Sequence, residues 1–289
     1  MILYINWDPI KLINICGYNI YTYSILFIVC FFFGVKKIFL IFKKNELGLK
    51  KIDYFILYSQ IGFLLGARIF HIIFYNFFFF KKNIIEAIFP IHKKINSYFF
   101  FFIKNYKFIG YQGLSSHGAA IGLLISILIY NKFFFKKKKN WLCDKICLIF
   151  TLSSSLIRIG NLFNSEILGK KCNIIFSIYF IQIHYDKIFH IKRHPSQLYE
   201  SILYLLLSNI IIFFLKKKKF KKNLFFLCLI RFILEFLKEP QKNEYFTIKI
   251  FNTGQLLSIP FIIIGFYLLN NKNIKNFYYT FYRFFFSYY

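Results

Sequence analysis

A chain of 289 residues with 58% hydrophobic side chains and a positive mean hydropathy carries more apolar surface than a soluble domain of that length can bury, so it is read as an integral membrane protein. Its formal charge of +28 would suggest nucleic acid on a soluble chain, but no RNA or DNA motif accompanies it and that class is set aside. Phe (44), Tyr (22), Ile, Asn and Lys are inflated together, as drift toward A/T-rich codons would produce, so composition is used for class and no further.

Seven segments approach the roughly 20 apolar residues a span needs. They are residues 18–42, 52–80, 116–135, 143–163, 195–215, 223–239 and 254–270. The first is too long for a signal-peptide core and lacks a small-x-small cleavage site, so it is read as a retained span. No internal repeat divides the chain, and residues 1–289 are expected to form a single polytopic all-α domain. Lysine blocks follow the first, third and fifth spans, at 43–51, 132–139 and 216–222. The positive-inside rule places these loops in the cytoplasm, the N-terminus outside, and the tail with Lys272, Lys275 and Arg283 inside. The longer connections, 81–115 and 164–194, then fall on the extracytoplasmic side.

Six cysteines are scattered, with only Cys143 and Cys147 close together, and nothing in the spacing suggests a metal site. They read as small apolar residues in membrane helices.

The polar residues inside apolar sequence are more selective. Lysine is the default cation here, yet the five arginines are Arg68, Arg158, Arg193, Arg231 and Arg283, and three of them (Arg68, Arg158, Arg231) fall within spans. Each costs about 2.5–3.5 kcal/mol at the centre of a bilayer helix. A guanidinium offers a planar fork of donors that fits a phosphate and stays charged in a low dielectric, so buried arginines point to an anionic ligand. An ion pair that only fixes helix packing, such as Arg231 with Glu235, is the competing explanation. "YQGLSSHGAAIG" brings His117 to the start of the third span; "RHPSQLYE" opens the fifth with His194, Gln197 and Glu200; "NTGQLLS" opens the seventh with Gln255. In the assigned orientation His117, Asn164, Glu166, His194 and Gln255 all fall near the outer face. That is expected of a site at the extracytoplasmic interface, whereas a translocation path would also need polar residues in the inner half.

"SLIRIGNLFNSEILGK" (155–170) carries a specific pattern: Arg158, Gly160, Asn161, Asn164, Glu166 and Gly169 match the signature G-R-x-[GA]-N-F-[LIVMF]-N-x-E-x-x-G. It departs at Ile157, in place of glycine, and at Leu162 and Phe163, where the aromatic is displaced by one. With "IYTYS", "GARIFHIIFYN", "GLSSHG", "RHPSQLYE", "RFILEFLKEP" and "GQLLSIP" following in order, the chain resembles the bacterial phosphatidylglycerol:prolipoprotein diacylglyceryl transferase family. Residues 77–109 and the last twenty match nothing in that pattern; Gln241 stands where an acid is expected, and Tyr21 with Thr22 where many relatives have Arg-Trp.

The resemblance implies seven membrane helices with the N-terminus outside, in the cytoplasmic (inner) membrane of a bacterium. It implies transfer of the diacylglyceryl group of phosphatidylglycerol to the lipobox cysteine of a prolipoprotein, with no metal or organic cofactor. Tyr23, His117, Arg158, Asn161, Gly169 and Arg231 are then the expected functional positions. Arg158 and Arg231 are assigned to the phosphate, His117 to the thiol proton, and Tyr23 and Glu235 to orientation. Glu166 either accepts from the Asn161 and Asn164 amides or pairs with Arg158. Arg68, His194, Gln197, Glu200 and Gln255 are expected in support. The competing classes are a decayed relative acting as a membrane scaffold and a transporter; the latter predicts inverted repeats or broken helices, which the sequence does not display.

Overall fold

The computed structural model describes residues 4–15, 18–46, 48–75, 81, 84–89, 91–99, 103–108, 114–135, 139–174, 177–180, 191–214, 219–239 and 251–270. The tail with Lys272, Lys275 and Arg283, the position of Gln241 and the ends of several expected spans lie outside the described residues. Two compact units are formed, one from Met1–Ile41, Asn140–Pro240 and Gly254–Tyr289, the other from Phe42–Lys139 and Gln241–Thr253.

Among the described residues, six helices are long and apolar enough to cross a membrane. In the first unit these are α1 (Thr22–Lys44, which runs on into the second unit), α5 (Lys139–Phe163), α6 (Ser196–Phe213) and α8 (Thr253–Asn270). In the second they are α2 (Leu49–Phe74) and α4 (Ser116–Tyr130), the latter continuing into one π-helical turn, Asn131–Phe135. The chain is a multi-pass membrane protein. α7 (Lys219–Glu235) has 17 residues and begins in lysines, which leaves it below that length.

The ends of the spans differ from expectation for local reasons. Residues 18–21 form β3 (Tyr18–Tyr21), paired antiparallel with β2 (Leu12–Ile15), and α1 starts only at Thr22. The Thr22 hydroxyl donates to the Ile10 carbonyl at 2.6 Å and its N–H to Lys11 at 2.9 Å, tying the helix start to the hairpin. β1 (Tyr4–Trp7), β6 (Ser177–Phe180) and β7 (Lys192–Arg193) form a small sheet, parallel between β1 and β6, antiparallel between β6 and β7. In the second unit the unmatched segment 77–109 contributes a short helix, α3 (Ile84–Ile88), and a hairpin of β4 (Ile91–Phe99) with β5 (Ile103–Phe108), its register shifted between Lys93 and Tyr98.

Helices in a bilayer gain little from burying apolar surface against one another, so their contacts rely on small residues and hydrogen bonds. In the second unit Gly62 and Gly66 of α2 face Gly118 and Gly122 of α4 so closely that a methyl group on Gly122 would strike the Gly62 carbonyl oxygen, and one on Gly66 that of Gly118. Ser115 caps α4, its hydroxyl accepting from the Gly118 N–H at 3.4 Å. At the other end of α4, Tyr130 donates to the Lys51 carbonyl at 2.7 Å and packs edge-on against Phe55.

In the first unit α5 makes polar contacts along its length. Asp144 accepts from the Phe220 N–H at 2.7 Å, satisfying an orphan donor at the start of α7. Thr151 bonds Asn223 at 2.8 Å, and Ser155 donates to the Ser201 carbonyl at 2.9 Å. Lys221 donates to the Leu268 carbonyl in the last turn of α8 at 2.8 Å, where a cation also meets the negative end of the helix dipole.

Candidate functional site

The signature lies where α5 ends. Arg158 and Asn161 are three residues apart and share a face of the last turns. Arg158 Nη1 donates to Asn161 Oδ1 at 3.3 Å, and Asn161 Nδ2 donates to Glu166 Oε1 at 2.5 Å. The chain then turns tightly: Asn164 N–H bonds Gly160 O, Ser165 N–H bonds Leu162 O, and Glu166 N–H bonds Asn161 O, with Ser165 and Ile167 held at φ 53° and 58°. A β-branched residue in the left-handed region is strained, and the surrounding main-chain bonds hold it there.

Those bonds reach two distant segments. Lys170 N–H donates to Leu237 O at 2.8 Å and Glu239 N–H to Leu168 O at 3.0 Å; His194 N–H donates to Lys170 O at 3.1 Å and Cys172 N–H to Lys192 O at 3.0 Å. Gln197 Nε2 donates to the Glu166 carbonyl at 2.6 Å and Ser196 Oγ to that of Ile167 at 3.1 Å. Arg193 bonds the Gly169 carbonyl at 3.1 Å and pairs with Glu239 at 2.5 Å. Trp7 adds an indole bond to the Leu162 carbonyl at 3.0 Å and an edge contact to Phe163, over a core of Leu162, Ile178 and Phe180.

Two signature glycines are required by close approach. A methyl group on Gly160 would stand 2.8 Å from Cδ2 of Tyr23 in the first turn of α1, and one on Gly169 would strike the His194 carbonyl oxygen.

The charges are buried and connected. Glu200 of α6 is 0% exposed, with Oε2 2.8 Å from Arg158 Nε and Oε1 2.8 Å from Lys238 Nζ; Lys238, 2% exposed, also pairs with Glu235 Oε2 at 3.0 Å. Gly254, in the first turn of α8, lies against the Glu235 carboxylate, where the positive end of the helix favours an anion. Arg231, half-buried on α7, acts electrostatically on Glu200. Arg158 and Lys238 thus share the Glu200 carboxylate, and Asn161 links Arg158 to Glu166, so buried charges of both signs are interleaved in a setting poor in water. Arg158 Nη2 keeps no protein partner among the described residues. The arrangement can hold an anion by a fork already oriented by Glu200 and Asn161.

Tyr23, Arg158, Asn161, Glu166, Gly169, His194, Gln197, Glu200, Arg231, Glu235 and Gln255 all belong to the first unit. Of the two expectations for Glu166, the structure realises the first through Asn161, while Arg158 takes Glu200 as its ionic partner. Glu200, expected only in support, is the central anion. The His194 ring stands edge-on to Tyr199, and Gln255 is buried in the first turn of α8. Lys238 went unrecognised in the sequence; its signal was a lysine three residues after Glu235 in a segment that is otherwise membrane-like, lost in a chain that uses lysine everywhere.

His117 and Arg68 belong to the second unit. His117 is buried in the first turn of α4, just after the cap. Arg68 Nε donates to the Ala87 carbonyl at 3.0 Å and Nη2 to the Glu86 carbonyl at 2.6 Å, so it satisfies carbonyls near the end of α3.

The sequence model of the family described as prolipoprotein diacylglyceryl transferase matches residues 10–270. A phosphatidylglycerol–prolipoprotein diacylglyceryl transferase of Bacteroides fragilis is 35% identical, covering 95% of this chain and 99% of its own length. One from Campylobacter curvus is 30% identical over 94% and 98% of the two chains, and one from Tolumonas auensis 29% over 92% and 96%. An oriented arginine fork at the end of α5, within a motif that keeps six fixed positions, agrees with these matches along nearly the whole chain: it belongs to the prolipoprotein diacylglyceryl transferase family.

Proposed function

We propose that the protein transfers the diacylglyceryl group of phosphatidylglycerol to the lipobox cysteine thiol of prolipoproteins in the inner membrane of a bacterium. The sulfur forms a bond to a glyceryl carbon, that carbon's bond to a phosphate oxygen breaks, and glycerol 1-phosphate leaves with the electron pair. The thiol proton passes to a base. Arg158, preset by Glu200 and Asn161 and with Nη2 making no bond to the described residues, is the observation that carries this reading.

The roles follow from what the reaction requires. A thiol with an ordinary pKa of about 8.5 is mostly protonated at neutral pH, so attack needs a base, and His117 is assigned that part. The departing phosphate needs fixed positive charge that is not reorganised as the bond breaks, which Arg158 and Arg231 supply. Lys238 and Glu235 hold Glu200 and, through it, Arg158. Tyr23, Asn161, Glu166 and Gly169 shape the headgroup site; His194, Gln197 and Gln255 support the segments around it, and Arg68 supports the outer connection of the second unit. Seven spans, with α7 as the sixth, put the N-terminus and this site on the extracytoplasmic side and the lysine loops within, as charge bias favours.

The test is transfer of labelled glyceryl lipid from phosphatidylglycerol to a synthetic lipobox peptide by lipid-reconstituted protein. Transfer by the wild type to a Cys peptide, absent with a Ser peptide and with Arg158→Ala, is expected. No transfer by folded wild type would overturn the reading in favour of a decayed relative that serves as a scaffold.

A further inference from the structure

Tyr204 lies one helical turn beyond Glu200 on α6, so the two side chains share a face. It is 1% exposed, and its hydroxyl has no hydrogen-bond partner among the described residues. Its surroundings are not apolar throughout: Glu200, Arg158 and Arg231 all act on it electrostatically. Burying a hydroxyl unpaired is unfavourable, and phenylalanine, which this chain uses twice as often as tyrosine, would fill the same space without that cost.

Arginine and lysine offer the phenol no acceptor, and the O–H makes no hydrogen bond to Glu200, whose oxygens stand 2.8 Å from Arg158 and Lys238. The O–H is a donor without an acceptor among the described residues, one turn from the Glu200 that pairs with Arg158 and within electrostatic reach of Arg158 and Arg231. From this geometry we infer that Tyr204 is a third ligand to the anion, its phenol donating to a non-bridging oxygen of the phosphatidylglycerol phosphodiester between Arg158 and Arg231. The inference rests on the transferase reading. It adds a neutral donor to a charged pair: the arginines attract any anion, whereas a directed O–H fixes which oxygen faces it and so the orientation of the ester bond that breaks.

Tyr204→Phe deletes the hydroxyl and nothing else. A hydrogen bond to a charged group corresponds to roughly tenfold to a hundredfold in affinity. Equilibrium binding of phosphatidylglycerol to protein in phosphatidylcholine nanodiscs is expected to weaken by that factor. KM for phosphatidylglycerol rises correspondingly, KM for the lipobox peptide stays unchanged, and the midpoint of thermal unfolding without phosphatidylglycerol is unchanged or raised. Phosphatidylglycerol binding within twofold of wild type would overturn the assignment, as would a fall in the unfolding midpoint accompanied by equal loss of affinity for lipid and peptide, which is the pattern of lost packing. Because binding is measured without turnover, a wild type that binds phosphatidylglycerol but transfers nothing overturns the transferase reading, while a Tyr204→Phe protein that binds and transfers normally overturns only the role of the phenol.

Discussion

Glu200 Oε1 lies 2.8 Å from Lys238 Nζ, an ion pair in which neither side chain is more than 2% exposed. It joins α6 to the chain just beyond α7, and it occupies the carboxylate oxygen that Arg158 does not use. Removing Lys238 takes from Glu235 the cation 3.0 Å away and leaves Glu200 with Arg158 alone, and breaking a buried pair of this kind costs about 3–5 kcal/mol. Lys238→Met is therefore expected to lower stability by that amount in chemical unfolding in detergent, and Lys238→Arg to recover most of it. Equal stability of Lys238→Met and wild type would show that the pair holds nothing.

Arg158→Lys keeps the charge and loses the fork. An ammonium cannot engage Glu200, Asn161 and a phosphate oxygen along fixed directions, so the anion is still attracted but poorly placed. Turnover should fall by about two to three orders of magnitude with a smaller change in KM for phosphatidylglycerol, the pattern of lost preorganised stabilisation. A kcat within threefold of wild type would reduce the arginine to a point charge.

Gly160→Ala brings a methyl group within 2.8 Å of the Tyr23 ring. Overpacking of this kind costs about 1–3 kcal/mol and displaces the ring. The double variant Gly160→Ala with Tyr23→Leu should regain stability without regaining activity. Full activity in the single variant would show that the ring has room to retreat without consequence.

In the second unit, Gly122→Leu is expected to prevent α2 and α4 from packing, because even a methyl group there meets the Gly62 carbonyl oxygen. Backbone cannot yield as a flexible side chain can, so the expected result is loss of monodisperse protein on size-exclusion chromatography in detergent. A folded, monodisperse Gly122→Leu protein would contradict this close approach.

His117→Gln keeps a polar side chain after the α4 cap and removes the group we propose as the base. General-base catalysis contributes typically 10²- to 10⁴-fold, so turnover should fall at least a hundredfold in purified protein whose unfolding midpoint is unchanged. Near-normal turnover would make the histidine a structural residue.

How much of this was legible beforehand depended on contrast. Arg158 stood out because the chain otherwise avoids arginine and because an arginine in a span is costly; the same reasoning found Arg231. Lys238, paired with two carboxylates, and the buried Tyr204 are written in residues that this sequence uses freely, so neither rises above its background. The apolar runs located the helices, yet could not foresee that residues 18–21 pair as a strand with Leu12–Ile15, or that 91–108 contains a hairpin, because short strands carry too few residues for periodicity to separate them from helix. Glu200 stands within a legible motif, but its importance comes from two cations supplied by distant parts of the chain, and sequence order does not reveal that meeting.

The seam around residues 164–172 is made largely of main-chain hydrogen bonds, to Leu237 and Glu239 on one flank and to Lys192 and His194 on the other. A peptide group bonds in the same way whatever side chain it bears. The registration of the signature loop is thus insulated from mutation at most of its own positions, and pressure falls on the few where a side chain or its absence matters: Arg158, Gly160, Asn161, Glu166, Gly169. Side chains at the intervening positions can change while the loop stays threaded between the same two neighbours.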